Sequence, residues 1–178
     1  VISGTLADAP RVLAGHPPYD VVVHAAGDVS FRSPLPDAFA TNVDGPRALW
    51  QESRPAEKGR QVLMGLEPDG TLRELNPAPF SARTRVHEYG GKAYAMHDGV
   101  AFFSHDADQR LYRVDPGQAP RPITPAAALR YADLCVDAPR GLLWCVREDH
   151  RAGGEPLNVL VAVTAQGDDE GGRVVVQG

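Results

Sequence analysis

A nine-residue stretch at 83–91 concentrates side chains suited to binding chemistry. It contains Arg83, Arg85, His87, Glu88 and Tyr89 and ends in a glycine pair. These side chains can form more hydrogen bonds and ion pairs than a plain loop needs, and the glycines let the backbone turn sharply. The stretch therefore indicates either a structural clamp between sheets or the lip of a binding site. The clamp is favoured, because half-buried ion-pair networks also produce such clusters.

The sequence lacks the motifs of nucleophilic, metal and nucleotide chemistry. No serine lies in a Gly-x-Ser-x-Gly elbow. Gly91 and Lys92 stand where a zinc-protease motif beginning at His87 would place its second histidine. Gly90 and Gly91 precede that lysine without the other residues of a phosphate-binding loop. We therefore predict no catalytic residue, no cofactor-binding residue, no cofactor and no metal ligand in this chain.

Composition narrows the class of partner. The net charge is −5, and basic residues are interspersed with acidic ones, which argues against nucleic-acid binding and for a small-molecule, peptide or protein partner. Cys135 and Cys145 are interpreted as two reduced, buried small residues. No apolar run approaches the roughly 20 residues of a membrane helix, and no secretory signal is recognisable at the start. The expectation is a cytoplasmic protein without membrane contact.

From about residue 47 onward, a pattern of short strands recurs. Apolar segments at 62–66, 111–115 and 160–164 follow one another at a spacing of about 49 residues, and each precedes a turn and a closing strand. Such a period is typical of β-propellers, so we predict a mainly β partial propeller of about two and a half four-stranded blades. The predicted strands are 48–52, 62–66, 71–75, 93–96, 100–104, 111–115, 121–124, 131–136, 141–147, 160–164 and 173–177.

Residues 1–48 show a different pattern. Segment 19–27 is a continuous apolar run ending in small residues, which is typical of a strand buried on both faces of a parallel sheet. We therefore divide the chain into an α/β fragment at 1–48 and a partial propeller at 49–178. Since a closed propeller needs about four to eight blades, the blade edges are expected to be exposed and to favour self-association.

Five motifs, in order, resemble a known family. Residues 49–57, 83–91, 108–113, 130–133 and 146–150 are similar to the N-terminal β-propeller of prolyl-oligopeptidase-family serine peptidases, in the dipeptidyl aminopeptidase and acylaminoacyl-peptidase branch. The resemblance covers about residues 47–178. It implies a WD40-like repeat unit that gates the entry of peptides to a separate hydrolase domain. In the family that domain carries the catalytic triad, and we do not find it in this chain.

The resemblance also implies roles for charged side chains. In that family, propeller residues of this kind restrict entry and in some members hold the substrate terminus, whereas ion pairs between blades remain the alternative. The candidates for substrate gating or an inter-blade clamp are Arg83, Arg85, His87, Glu88, Arg147 and Glu148. If Arg85 and Glu88 belong to a largely desolvated network with Arg147 or Glu148, Glu88→Ala should strongly destabilise the chain.

The first 48 residues resemble the middle of an extended short-chain dehydrogenase. The similarity rests on His24-Ala25-Ala26 after a strand and on the segment 41–45, in which the family's equivalent of Asn42 supports the active site. The glycine-rich loop and the Tyr-x-x-x-Lys motif of that family are missing, so we expect no dinucleotide binding.

Three functions are compatible with the sequence. They are a substrate-gating propeller segment of a prolyl-oligopeptidase-like peptidase, which is favoured, a fragment of an NAD(P)-dependent dehydrogenase or epimerase, and a non-enzymatic β-repeat interaction module.

Overall fold

The computed structural model of the protein describes residues 43–44, 47–66 and 70–177. Within them the chain is mainly β, as predicted, and forms three four-stranded antiparallel sheets that follow one another along the sequence. The α/β fragment predicted for 1–48 lies outside the described residues, apart from its last few positions. In the described part of the chain, no helix is long and apolar enough to cross a membrane.

Each sheet keeps the sequence order of its strands. The first consists of β1 (Val43–Asp44), β2 (Arg47–Arg54), β3 (Arg60–Leu66) and β4 (Leu72–Glu74). The second consists of β5 (Tyr94–His97), β6 (Val100–Ser104), β7 (Leu111–Val114) and β8 (Arg121–Pro122). The third consists of β9 (Leu129–Asp137), β10 (Leu142–Asp149), β11 (Leu157–Thr164) and β12 (Arg173–Gln177). Short 3-10 helices at Pro55–Glu57 and Ala138–Arg140 form the turns of two hairpins, between β2 and β3 and between β9 and β10.

The first two sheets share a hydrogen bond just after the end of their fourth strand, which is a structural counterpart of the sequence repeat. In the first sheet, the buried Leu63 amide donates to Oδ1 of Asn76 at 2.6 Å. In the second, the Leu111 amide donates to Oγ1 of Thr124 at 3.0 Å. A short polar side chain thus satisfies a buried N–H that would otherwise be left unpaired.

The core lies between successive sheets. Leu63 of the first sheet packs with Phe103 and Tyr112 of the second, and a larger cluster joins the second sheet to the third around Leu111 and Leu143. Alternation along the strands directs these side chains to the packed faces. Burying each of them fully is worth about 1.5–3 kcal/mol, so packing between the sheets supplies the main stabilisation.

The two cysteines differ from the prediction. Both are free thiols, but only Cys145 is buried, and Cys135 is exposed. Cys135 pairs with Trp144, the neighbour of Cys145, and a register shift follows between Trp144 and Val146. Because successive strand residues face opposite sides of a sheet, the two thiols lie on different faces.

The start of β12 depends on a glycine without room for a side chain. Gly172 has a φ of +98°, and an added Cβ would lie 2.8 Å from Cγ2 of Val163. Gly154 also has a positive φ, +75°, but nothing lies within 4 Å of the same position. Alanine substitutions at these two glycines therefore distinguish the cost of backbone strain alone from the cost of strain with overpacking.

We expect Gly154→Ala to cost about 1–2 kcal/mol of unfolding free energy through backbone strain. Gly172→Ala should cost about 2–4 kcal/mol, because overpacking adds to the same strain. Thermal or urea unfolding of the two variants measures the difference. Equal losses in the two variants would contradict the packing described for Gly172.

Candidate functional site

The stretch at 83–91 links the first sheet to the second and is fixed at its start. The Ala82 amide donates to the Gln61 carbonyl at 2.9 Å, and Ala82 bridges to His105. The Arg83 amide donates to the Ser104 carbonyl at 2.9 Å. The backbone of this stretch is therefore held by strands or strand ends of both sheets.

The middle of the stretch is a tight turn with unusual backbone angles. The Gly90 amide donates to the Val86 carbonyl at 2.9 Å. His87 and Glu88 have φ values of +53° and +63°, which few residues other than glycine adopt. An added Cβ on Gly90 would lie 3.0 Å from the Thr84 carbonyl. Such a conformation persists only where the surroundings hold it.

The Glu148 carboxylate on β10 helps to stabilise this turn. Its side chain is only 4% exposed, and it accepts three hydrogen bonds. The donors are the His87 amide at 3.1 Å, Nη1 of Arg130 at 3.3 Å and Nε2 of His150 at 2.9 Å. The charged carboxylate thus joins the turn at His87 to β9 and β10 of the third sheet.

The surroundings of Glu148 set its ionisation. Burial raises the pKa of this carboxyl, but the hydrogen bonds from His150 and the His87 amide and the charge of Arg130 outweigh burial, so the pKa lies below its ordinary value. A lowered pKa in the folded state stabilises the fold above the pKa of the unfolded chain. That contribution is lost as the pH falls through the lowered pKa.

Arg130 completes the connection, and sequence reasoning did not select it. Its Nη1 atom donates to the Arg85 carbonyl at 2.8 Å and pairs with the carboxylates of Glu88 and Glu148. It lies in one of the motifs that carry the family resemblance, but its partners are distant in sequence. We name the contacts of Arg130 and Glu148 with residues 85–88, together with the hydrogen bond between His150 and Glu148, the loop anchor.

The loop anchor corrects the predicted network around Glu88. The Glu88 side chain is 78% exposed, so the expectation of a largely desolvated Glu88 is wrong. Arg85 does not pair with Glu88 either, because Nε of Arg85 donates to Oδ1 of Asp106 at 3.0 Å. The turn places the two side chains apart, and the buried carboxylate belongs to Glu148.

Arg147 lies away from the loop anchor. It is adjacent to Glu148 on β10, and neighbouring strand residues face opposite sides of the sheet. Nη1 of Arg147 donates to the carbonyls of Gly171 and Gly172, both at 3.0 Å, and Nη2 lies 3.4 Å from Asp149. Arg147 therefore fixes the turn before β12 within the third sheet.

Arg83 has a different environment from the other candidates. It lines an open cavity of about 440 Å³ beside the first and second sheets. The other lining residues are Gln51, Gln61, Ala82, Thr84, Tyr89, Gly90, Gly91 and Ala93. Of the six predicted site residues, the structure thus brings His87, Glu88 and Glu148 together with the Arg85 backbone, and it separates Arg83 and Arg147 from them.

The loop anchor and the cavity offer groups that can bind. Across 43–44, 47–66 and 70–177, no group of three or more His, Cys, Asp or Glu residues could hold a metal ion. The loop anchor holds a backbone conformation, and the cavity presents hydrogen-bond donors and a guanidinium to solvent. These arrangements can position a chain segment or bind a ligand.

Comparison with known proteins gives matches among solved structures. A Mycobacterium tuberculosis puromycin-hydrolyzing peptidase is 38% identical with a TM-score of 0.65, and a puromycin hydrolase is 33% identical with a TM-score of 0.65. A puromycin hydrolase mutant complexed with PGG is 34% identical with a TM-score of 0.64. No protein-family model matches the chain, and no curated protein does so significantly.

These matches cover 76% of this chain but 23% of each hydrolase chain. The chain is therefore similar to one part of puromycin-hydrolysing enzymes and spans about a quarter of their length. The resemblance of residues 1–48 to a dehydrogenase finds no support in any of the comparisons.

The loop anchor predicts unequal effects for two glutamates that share a partner. Glu148→Ala removes a buried acceptor of three hydrogen bonds and should lower the free energy of unfolding by about 3 kcal/mol. Glu88→Ala removes an exposed ion pair and should cost about 1 kcal/mol or less. Urea unfolding at neutral pH measures both. A Glu148→Ala variant as stable as Glu88→Ala would contradict the anchor.

Proposed function

We propose that this chain is a partial β-propeller that gates substrate entry in a prolyl-oligopeptidase-like serine peptidase acting on aminoacyl compounds such as puromycin. The observation that carries the proposal is the 38% identity to a puromycin-hydrolyzing peptidase over 76% of this chain. The five ordered motifs of the sequence support the same family.

The sheet architecture supports the propeller assignment. Three four-stranded antiparallel sheets follow one another, each in simple meander order, which is the arrangement of propeller blades. Their apolar faces pack on each other. In this proposal the described sheets are three consecutive blades, with β1, β5 and β9 innermost.

We assign the charged residues to two roles within the gate. His87, Glu88 and Glu148, together with Arg130, act as an inter-blade clamp, for which the buried position of Glu148 is the support. The Arg85 carbonyl accepts a hydrogen bond from Arg130 in that clamp, and the Arg85 side chain forms an ion pair with Asp106. Arg83 faces the open cavity and is the residue assigned to contact a substrate.

The catalytic step belongs to the hydrolase domain of the full-length enzyme. The 178 residues contain no Gly-x-Ser-x-Gly elbow, so a serine nucleophile must come from elsewhere in the protein. The chain's contribution is to admit short substrates and exclude folded ones. A peptide or aminoacyl substrate is accordingly its partner only when that domain is present.

Self-association is a second proposal, carried by the outer strands of the third sheet. Leu160 pairs with Val176, which is 56% exposed, and Val174 is exposed beside it. An exposed apolar face of this kind favours packing against another chain. In an intact propeller the same face would be covered by the next blade.

A chimera tests the proposed function. Residues 47–177 replace the matching segment of the Mycobacterium tuberculosis puromycin-hydrolyzing peptidase, and puromycin hydrolysis is measured. We expect kcat to stay within about tenfold of the parent enzyme, because the triad is untouched, and KM to change, because the gate is replaced.

Two controls make the result decisive. The same chimera carrying Glu148→Ala should lose thermal stability, and the chain alone should not be labelled by a serine-reactive fluorophosphonate. A chimera that folds, as judged by a cooperative melt, but does not hydrolyse puromycin would overturn the proposal. Stoichiometric labelling of the chain alone would also overturn it.

A further inference from the structure

The cavity beside Arg83 has the composition of an anion site. Its lining residues are Arg83, Gln51, Gln61, the hydroxyl-bearing Thr84 and Tyr89, two alanines and two glycines. Among the described residues that line it, none carries a carboxylate. A cavity with a single cation and neutral hydrogen-bonding groups favours a negatively charged ligand.

The charge of Arg83 is unusual within this acidic chain. Most arginines of the described sheets pair with a carboxylate: Arg54, Arg60, Arg85, Arg113, Arg121, Arg130, Arg140, Arg147 and Arg151. No carboxylate among the described residues forms an ion pair with Arg83. The Arg83 guanidinium therefore keeps its five donors for a ligand.

The walls of the cavity are held in place. Nε2 of Gln51 donates to Oε1 of Gln61 at 2.8 Å, and Nε2 of Gln61 donates to the Gly59 carbonyl at 3.0 Å. The Arg83 amide donates to the Ser104 carbonyl. Fixed walls lower the cost of ordering the site when a ligand binds.

The loop anchor also orients Tyr89. Its ring stacks on His87 with centroids 5.7 Å apart, and the residue is 87% exposed. An exposed aromatic ring with a free edge and a hydroxyl offers both apolar contact and a hydrogen-bond donor. Tyr89 thus stands at the cavity mouth, where an extended ligand would pass.

We propose that this cavity binds a carboxylate group, with Arg83 as its cationic partner and Tyr89 as a contact for the adjoining residue. The chemical class of ligand is a short peptide with a free C-terminal carboxylate. Naming a peptide as the source rests on the proposed function, whereas the carboxylate chemistry rests on the cavity.

The test uses the isotope-labelled full chain and follows the backbone amides of Gly90 and Gly91 by NMR. The probes are an N-acetyl tripeptide with a free carboxylate, the same tripeptide as its C-terminal amide, and inorganic phosphate. We expect the free carboxylate to shift both glycine signals in a saturable way. The tripeptide amide and phosphate should shift them much less at equal concentration.

Variants assign the effect to the cavity. Arg83→Ala should weaken the tripeptide by about tenfold, the usual effect of a hydrogen bond between charged groups, and Arg83→Lys should retain part of the affinity. Arg173→Ala is the matched control, because Arg173 is exposed on β12 and has no described carboxylate partner either. It should leave the affinity unchanged.

Each alternative result has a defined meaning. Equal binding of the amide tripeptide, or unchanged binding by Arg83→Ala, overturns the carboxylate site. Equal shifts with phosphate overturn the assignment to a peptide terminus. The chimera assay for puromycin hydrolysis does not depend on these titrations, so failure here and failure of the proposed function are distinguishable.

Discussion

A buried carboxylate must be stabilised by hydrogen bonds, because an unpaired buried charge costs several kcal/mol. Glu148 meets this requirement with donors from three places: the turn at His87, β9 through Arg130, and the end of β10 through His150. That turn comes from the first sheet and leads into the second. One charge on the third sheet therefore organises the segment that connects the other two.

The loop anchor and the cavity depend on each other. The anchor holds His87 and Glu88 at positive φ, which directs Tyr89 outward and leaves Arg83 beside the cavity. Gly90 permits this path because a side chain there would crowd the Thr84 carbonyl. From the sequence, a structural clamp and the lip of a binding site were alternatives for this stretch. We assign the clamp to His87 and Glu88 and the binding site to Arg83 and Tyr89.

The strands could be predicted because their signals are local. Alternating apolar residues and turn glycines locate Val100–Ser104 and Arg173–Gln177 at the predicted bounds. The long strands β9 and β11 extend beyond the prediction, because residues at their ends, among them the polar Arg130 and Asn158, also pair with β10. Pairing of this kind depends on the neighbouring strand and leaves little trace in the sequence.

The candidate site was predicted only in part, for a geometric reason. The cluster at 83–91 is visible in composition, but the partners of its members are set by the packing of distant strands. Strand alternation separates Arg147 from Glu148, and the turn separates Arg85 from Glu88. Arg130 lies more than forty residues from Arg85 and Glu88 in the sequence, so no local pattern indicated these contacts.

The most direct test of the loop anchor is amide hydrogen exchange at His87 under native conditions. The account predicts slow exchange at His87 in the parent chain and exchange near the rate of a free amide in Glu148→Ala. In both proteins the Leu111 amide, which donates to Thr124, should remain protected and so exclude global unfolding. A His87 amide that exchanges freely in the parent, or stays protected in Glu148→Ala, would contradict the account.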